Sequence, residues 1–237
     1  MEVTVAGVTD WLHGLLDESR TTEETQRAAL SAVTTLAAPE TTMQLLMSVR
    51  DTAQALSRRV ELSYRHALGF DKLALIDGAP SFVLRLHVWW PEQHRGSEHV
   101  HDHRFVLASA ILRGGYEMQV FRAESAGLPV TEYREQLSRP DADWQLSPLG
   151  PSHLRMLSSA RLSAPCSYVL AADTLHRVIV LPDTLCLTLF LETAAVGSTT
   201  RVFTDAGVSA PMTMPKLTLS SSDYLRLLDA VSAAIAS

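Results

Sequence analysis

Clustered lysine and arginine are missing from this sequence. Its 20 Lys and Arg are outnumbered by 26 Asp and Glu, a formal net charge of −6, and no basic stripe is available to neutralise phosphates. Nucleic-acid binding is therefore not expected. No apolar run approaches the ~20 residues that span a bilayer, so no membrane insertion is expected either. Residues 1–14 have neither the basic start nor the continuous apolar stretch of a signal peptide, and the expected compartment is the cytoplasm. Cysteine is scarce. Cys166 and Cys186 both fall in strand-like apolar runs and read as buried thiols of a reducing compartment, with a disulfide between them as the alternative. Internal repeats, coiled-coil heptads and low-complexity linkers are absent as well.

What is present suffices for a real core: 46% of the 237 residues are hydrophobic, which suits one full domain with extra elements. The first third has helical texture. Thr9 and Asp10 are placed to cap a segment carrying Trp11, Leu12, Leu15 and Leu16. Thr21 and Glu24 have capping-box spacing ahead of Ala28, Leu30, Val33 and Leu36. Pro39 breaks that helix, and a third is expected from about Thr41, with Leu45, Leu46, Val49, Ala53 and Leu56 at helical spacing. Near residue 70 the texture changes. After the turn signal Asp77-Gly78-Ala79-Pro80, branched and aromatic residues from Ser81 to Trp90 predict a strand. More strands are predicted at 105–112, 115–122, 130–133, 154–162, 167–170, 177–181 and 185–192, and Ser220 opens an amphipathic C-terminal helix. The expected organisation is a helical segment over 1–68, a β-barrel over 69–206 and an extension with its terminal helix over 207–237.

Nine histidines are unevenly spread, and His94, His99, His101 and His103 crowd into ten residues. On a strand, residues two apart share a face, so His99, His101 and His103 would form a row able to share a metal ion. Imidazole suits iron, nickel, zinc and copper alike. An exposed His-rich loop is the competing reading. His176, at the head of another apolar strand, supplies a distant third donor of the kind a barrel site needs. Asp102 points away by strand parity and is expected outside the cage. Trp11, Trp90 and Trp144 read as packing residues, while His13, His66 and His153 read as structural or exposed.

Residues 70–193 resemble a cupin, and among cupins the thiol dioxygenases typified by cysteine dioxygenase. Phe82 to Trp89 resembles the strand entering that family's site, and Gly96-Ser97 with Val100-His101-Asp102-His103 resembles its first histidine motif. Gly115 stands at its glycine turn, and Leu175-His176-Arg177-Val178 resembles its third-ligand motif. The resemblance implies a mainly β, jelly-roll-like barrel in which His101, His103 and His176 hold Fe(II), with dioxygen and a small molecule as partners. It is also compatible with a homodimer formed through strand edges. The sequence departs from the family around this cage. Lys72 stands where the family's arginine is expected, Ala108 at its crosslinking cysteine, and Thr188, Phe190 and Glu192 at its serine, histidine and tyrosine. No acid occupies the place of the usual cupin glutamate between Phe105 and Ala108.

The same resemblance implies that His87 and Trp89 line the pocket, with Arg85 on their face. His87 and Glu192 become candidate acid–base residues, Glu192 having a strand-end surface position as its alternative. Lys72, Arg85, Trp89, His99 and Tyr116 become candidate substrate contacts. An outward charge on an edge strand is the alternative for Arg85. His99 could instead be a ligand, and for Tyr116 and Tyr168 parity leaves both faces open. The expected activity is a metal-dependent dioxygenation of a small amino acid, thiol or related metabolite. A metal-dependent isomerase or lyase and a non-catalytic binding protein are the alternatives.

Overall fold

The computed structural model describes residues 2–16, 21–91, 93, 98–137, 143–181, 183–207 and 210–236. Helices come first: α1 (Val5–Leu15), α2 (Thr22–Leu36), α3 (Pro39–Asp51) and, after a 3-10 turn, α4 (Leu56–Glu61). The Thr21–Glu24 capping box forms in both directions at the start of α2. Two helix expectations need correction. The cap of α1 is Thr4, whose hydroxyl accepts the Gly7 N–H at 3.1 Å, while the Thr9 hydroxyl donates back to the Val5 carbonyl inside the helix. Pro39 does not end α2, which stops at Leu36; it occupies the first turn of α3, where its missing N–H costs nothing.

The strands are β1 (Tyr64–Arg65), β2 (Asp71–Gly78), β3 (Phe82–Trp89), β4 (Val100–His101), β5 (Phe105–Arg113), β6 (Gly115–Glu124) and β7 (Leu128–Leu137). They continue with β8 (Trp144–Ser163), β9 (Cys166–Leu170), β10 (Leu175–Val180), β11 (Cys186–Ala195), β12 (Thr200–Asp205), β13 (Met212–Met214) and β14 (Leu217–Thr218). The chain then ends in α5 (Ser221–Ala236), capped at Ser220, whose hydroxyl accepts the Asp223 N–H. One seven-stranded sheet runs β14-β1-β2-β3-β11-β5-β9 and the other β13-β8-β6-β10-β4-β12-β7, with β7 also paired to β8. The mainly β architecture expected from the sequence, with helices at both ends of the chain, is what the structure has.

Strand β8 is longer than its sequence suggests, because Pro148, Gly150 and Pro151 read as breakers. It survives by changing partner. Residues 144–154 pair with β7 and 153–163 with β6, and the register slips where Glu132 faces Gly150 but Tyr133 faces Pro148. That bulge absorbs the irregular residues, and Gly150 takes a φ of 131° there.

The helices cover the outer face of the first sheet. Leu84, Leu86 and Val88 of β3 and Leu187, Leu189 and Leu191 of β11 all point that way, packing with Val8, Leu12, Val33, Leu45 and Tyr224 in one apolar cluster. Their alternates, Arg85, His87 and Trp89 on β3 and Thr188, Phe190 and Glu192 on β11, therefore face the second sheet. Cys166 and Cys186 are both free thiols, which removes the disulfide alternative, and among the described residues no helix is long and apolar enough to cross a membrane. Leu189 has no solvent exposure. Leu189→Ala is expected to lower the unfolding free energy by about 2–5 kcal/mol in urea titrations, because the rigid layers around it cannot close the cavity. Metal stoichiometry should stay at the wild-type value.

Candidate metal centre

Strand β4 lasts only two residues, yet it fixes the centre. His101 pairs with His176 of β10 on one side and with Val202 of β12 on the other. Cross-strand partners share a face, so both imidazoles point into the space between the sheets. The row expected for His99, His101 and His103 does not form, because the strand pairing starts at Val100 and ends at His101. After it the chain turns. The Asp102 N–H donates to the Arg201 carbonyl, and its carboxylate accepts the Arg201 N–H and Nε–H, both at 2.6 Å. The His103 N–H then donates to the Ala172 carbonyl at 2.9 Å. Asp102 thus lies outside the cage, as parity implies, and anchors the turn that brings His103 around.

The three rings form a near-equilateral triangle, with centroids 4.8 Å apart for His101–His176, 4.9 Å for His101–His103 and 5.1 Å for His103–His176. One ligating nitrogen from each lies within 4.8 Å of the others. Nδ1 of His101 is 2.8 Å from the His99 carbonyl, and Nδ1 of His176 is 3.1 Å from the Thr174 carbonyl. A carbonyl oxygen only accepts, so each Nδ1 carries the proton and each Nε2 presents a lone pair. Burial pushes the His101 pKa down to about 3, and it also lowers those of His103 and His176. All three are neutral donors near neutral pH. The group fits a divalent transition metal, and three imidazoles do not by themselves choose among iron, nickel, zinc and copper.

His101 and His103 open on a cavity of about 210 Å³. Lys72, Arg85, Glu98, His99, Phe190 and Glu192 are on its wall, so several expected site residues do meet there. Their roles differ from expectation. Arg85 is no outward charge: its Nε donates to Glu192 at 2.7 Å and its Nη1 to the Leu62 carbonyl at 2.7 Å. Each of Arg85 and Glu192 thereby occupies the other. His99 stands at the rim, outside the three-nitrogen group, and contributes its carbonyl to His101. Glu98, flanking the motif, has its carboxyl pushed up to about 7 by burial, against the opposing pull of Lys72.

Three expected pocket residues are not on the cavity wall. His87 is buried behind Phe190, whose ring stacks on it at 4.3 Å and stands 6.2 Å from that of His103. Its Nε2 has no hydrogen-bond partner among the described residues. Trp89 stacks on Phe70 at 4.8 Å, and the Tyr116 hydroxyl meets that of Tyr168 at 2.7 Å; both rings sit in a separate apolar cluster. On β3 His87 and Trp89 do face inward, but Phe190 stacks on the first and Phe70 on the second. His94, Gly96 and Ser97 lie outside the described residues. Conversely, the sequence reading missed Tyr64, Glu135 and Lys216, and it read His66 and Trp144 as bland; all five line the cavity.

No family model matches the chain, and no curated protein does. Solved structures do resemble it. The DMSP lyase DddQ from Ruegeria pomeroyi DSS-3 aligns at 14% identity over 61% of this chain with a TM-score of 0.31, and the chain spans 51% of that protein. A cupin-like protein from Thermotoga maritima msb8 aligns at 9% identity over 66% of this chain and 83% of its own, with a TM-score of 0.30. The polyketide cyclase RemF from Streptomyces resistomycificus aligns at 13% identity over 70% of this chain and 83% of its own, with a TM-score of 0.32. These are similarities only; the architecture rests on the two sheets described above, and the chemistry is argued from this chain's own side chains.

Two outcomes are expected. Protein purified without a histidine tag should carry one metal ion per chain, and His176→Ala should weaken that binding by on the order of a hundredfold or more, read by elemental analysis after dialysis. Retained stoichiometry would show the cage to be misassigned. The metal-free protein should also lose stability in acid. The buried histidines have folded-state pKa values below the unfolded ~6.5, so the unfolded chain takes up protons first as pH falls. Their contribution is complete above about pH 6.5 and declines below it, by up to about 1.4 kcal/mol per pH unit per histidine. Urea midpoints at about pH 7 and about pH 5.5 measure that slope.

Proposed function

We propose that the chain is a metal-dependent enzyme of cupin type, and in the first instance a non-heme iron dioxygenase acting on a small anionic metabolite. The observation that carries this reading is the convergence of three neutral imidazoles, two of them tautomer-fixed, beside a cavity whose wall also carries the Lys72 ammonium. Iron(II) at that position would supply the redox chemistry with dioxygen.

The chain's own residues do the rest. Lys72 has no ion pair among the described residues, and its Nζ lies 5.6 Å from the ring centroid of Tyr64 and 5.5 Å from that of Phe70. It is placed to receive a carboxylate or similar group of the substrate. Arg85, held by Glu192 and Leu62, stiffens the wall rather than reaching for substrate. Phe105, Phe190 and Val202 give the imidazole end an apolar lining that limits water.

One observation favours a second reading, in which the metal polarises substrate for a lyase or isomerase reaction without oxygen. A carboxyl titrating near 7, as burial makes Glu98 do, can give and take a proton at neutral pH. Oxygen uptake by metal-loaded protein against a panel of amino acids, thiols and small acids separates the two. The dioxygenase reading requires oxygen consumption matched to product, and turnover under strict anaerobiosis sinks it. Ligand-induced stabilisation with no turnover in either atmosphere would leave a binding protein. Lys72→Met is expected to raise KM for an anionic substrate about tenfold, with a smaller effect on kcat.

A further inference from the structure

Histidine has two opposite uses at this site, and the backbone beside each ring decides between them. At His101 and His176 a carbonyl faces Nδ1, which must carry the proton and so leaves the Nε2 lone pair for a metal. At His66 the neighbour is an N–H instead. The Leu68 N–H donates to Nδ1 of His66 at 3.3 Å, so Nδ1 presents the lone pair and Nε2 carries the proton. Neither nitrogen of that neutral ring is available as a ligand. Burial, reinforced by the Lys72 charge, holds the His66 pKa well below the ordinary histidine value, and the neutral donor is the form present near neutral pH. Its Nε2–H meets no acceptor among the described residues.

The hairpin of β1 and β2 aims this donor. Tyr64 pairs with Lys72 and Arg65 with Asp71, and beyond them the His66 N–H donates to the Phe70 carbonyl at 2.7 Å. The turn closes through the Gly69 N–H, which donates to the His66 carbonyl at 2.9 Å; Gly69 has a φ of 82°. Alternation sends Arg65 and Asp71 to one side, where their side chains pair at 2.8 Å. Tyr64, His66, Phe70 and Lys72 take the other side, and all four are on the cavity wall.

His66 and Lys72 are diagonal neighbours on that face, a spacing of roughly 7–8 Å between backbones that a long side chain spans. Both lie against Phe70: the His66 ring stacks on it at 4.7 Å, and the Lys72 Nζ stands 5.5 Å from its centroid. The stacking fixes the plane of the imidazole. Of the charges that reach His66, that of Lys72 comes first, followed by His101 and His99, so the hairpin face looks onto the cage. Two hydrogen-bond donors, one of them cationic, therefore stand side by side with no acidic side chain on their face of the hairpin. Such a pair accepts two oxygens of one planar anion and repels an ammonium group.

We infer that His66 is a further substrate-binding residue, whose Nε2–H joins the Lys72 ammonium in clamping a single carboxylate. This rests on the histidine group being the reaction centre, and it narrows the substrate class to a small carboxylic acid docked on the hairpin through its carboxylate.

The test uses propionate as the probe, on metal-free and on zinc-loaded protein. In nitrogen-15 spectra of histidine-labelled wild type, His66 is expected as the Nε2–H tautomer, with its Nε2–H resonance moving as propionate is added. By calorimetry, His66→Phe, which keeps the stacking and removes the donor, should weaken propionate binding about tenfold. His66→Gln, whose amide N–H can stand in for Nε2–H, should bind within about threefold of wild type. A proton on Nδ1 of His66 overturns the inference, and so does a His66→Phe variant that binds propionate as wild type does. Wild type that fails to bind propionate overturns it too. The tautomer is read on wild type, so the inference stays testable even where His66→Phe does not fold. Absence of turnover in the metal-loaded protein would overturn the enzymatic reading alone, since carboxylate binding by the metal-free protein still decides the role of His66.

Discussion

The site depends on the division of labour between the two faces of one sheet. Strands β3 and β11 lie next to each other near its centre, and over 84–89 and 187–192 they alternate between leucine or valine and something polar or aromatic. The apolar set is covered by α1, α2, α3 and α5, so these strands do not need their inner face for stability. The inner face is then free to carry Arg85, Glu192 and Phe190, groups that an ordinary sandwich interior would reject. Without the helical layer, the leucines would have to find another partner, and the same strands could not present a polar cavity toward the histidines. The N-terminal helices are in this sense a condition of the site, although they contribute no metal donor to it.

That alternation made the fold legible. Branched and aromatic residues in short runs identified β3, β5, β6, β10 and β11 to within a few residues, because both faces of each are buried. The missed strands have other reasons. Strand β2 sits beside a turn signal the sequence displays clearly, but its Asp71-Lys72 start looks polar until Arg65 and Trp90 are seen to hydrogen-bond to the Asp71 carboxylate. Strand β12 begins after Gly197, Ser198 and Thr199, and its pairing with β4 and β7 is a long-range fact with no local sign.

The candidate site was legible to a similar, uneven extent. His101, His103 and His176 stand out because imidazoles at tight spacing are rare and a second motif echoes the first. The resemblance also implied His87 and Trp89 on the pocket wall, but an inward direction carries no information on depth. Whether an inward side chain reaches a cavity depends on the volume of its neighbours, here Phe190 and Phe70. The outer wall was illegible for a different reason. Tyr64, Glu135, Trp144 and Lys216 come from four separate segments, each with a single residue and no motif, and only the closure of β7 on β8 and of β14 on β1 gathers them.

The electrostatics of the histidine group and of the cavity beside it are linked. Donors that are all neutral leave a divalent ion with its whole charge, unlike a site in which carboxylates share the ligation. Of the nearby acids, Glu192 is committed to Arg85, and burial raises the carboxyl of Glu98 to about 7 and that of Glu135 above its ordinary range. A bound cation would draw those carboxyls back toward ionisation, and an arriving anion would relieve the same demand more directly. Lys72 adds a further positive charge within influence of His101 and His103. Metal and anionic ligand should therefore bind with positive coupling, each lowering the electrostatic cost of the other, and by reciprocity the ligand should tighten metal binding as much as the metal tightens ligand binding. On the proposed reading, the neutral imidazoles beside Lys72, which has no ion pair among the described residues, leave charge for an anionic ligand to complete.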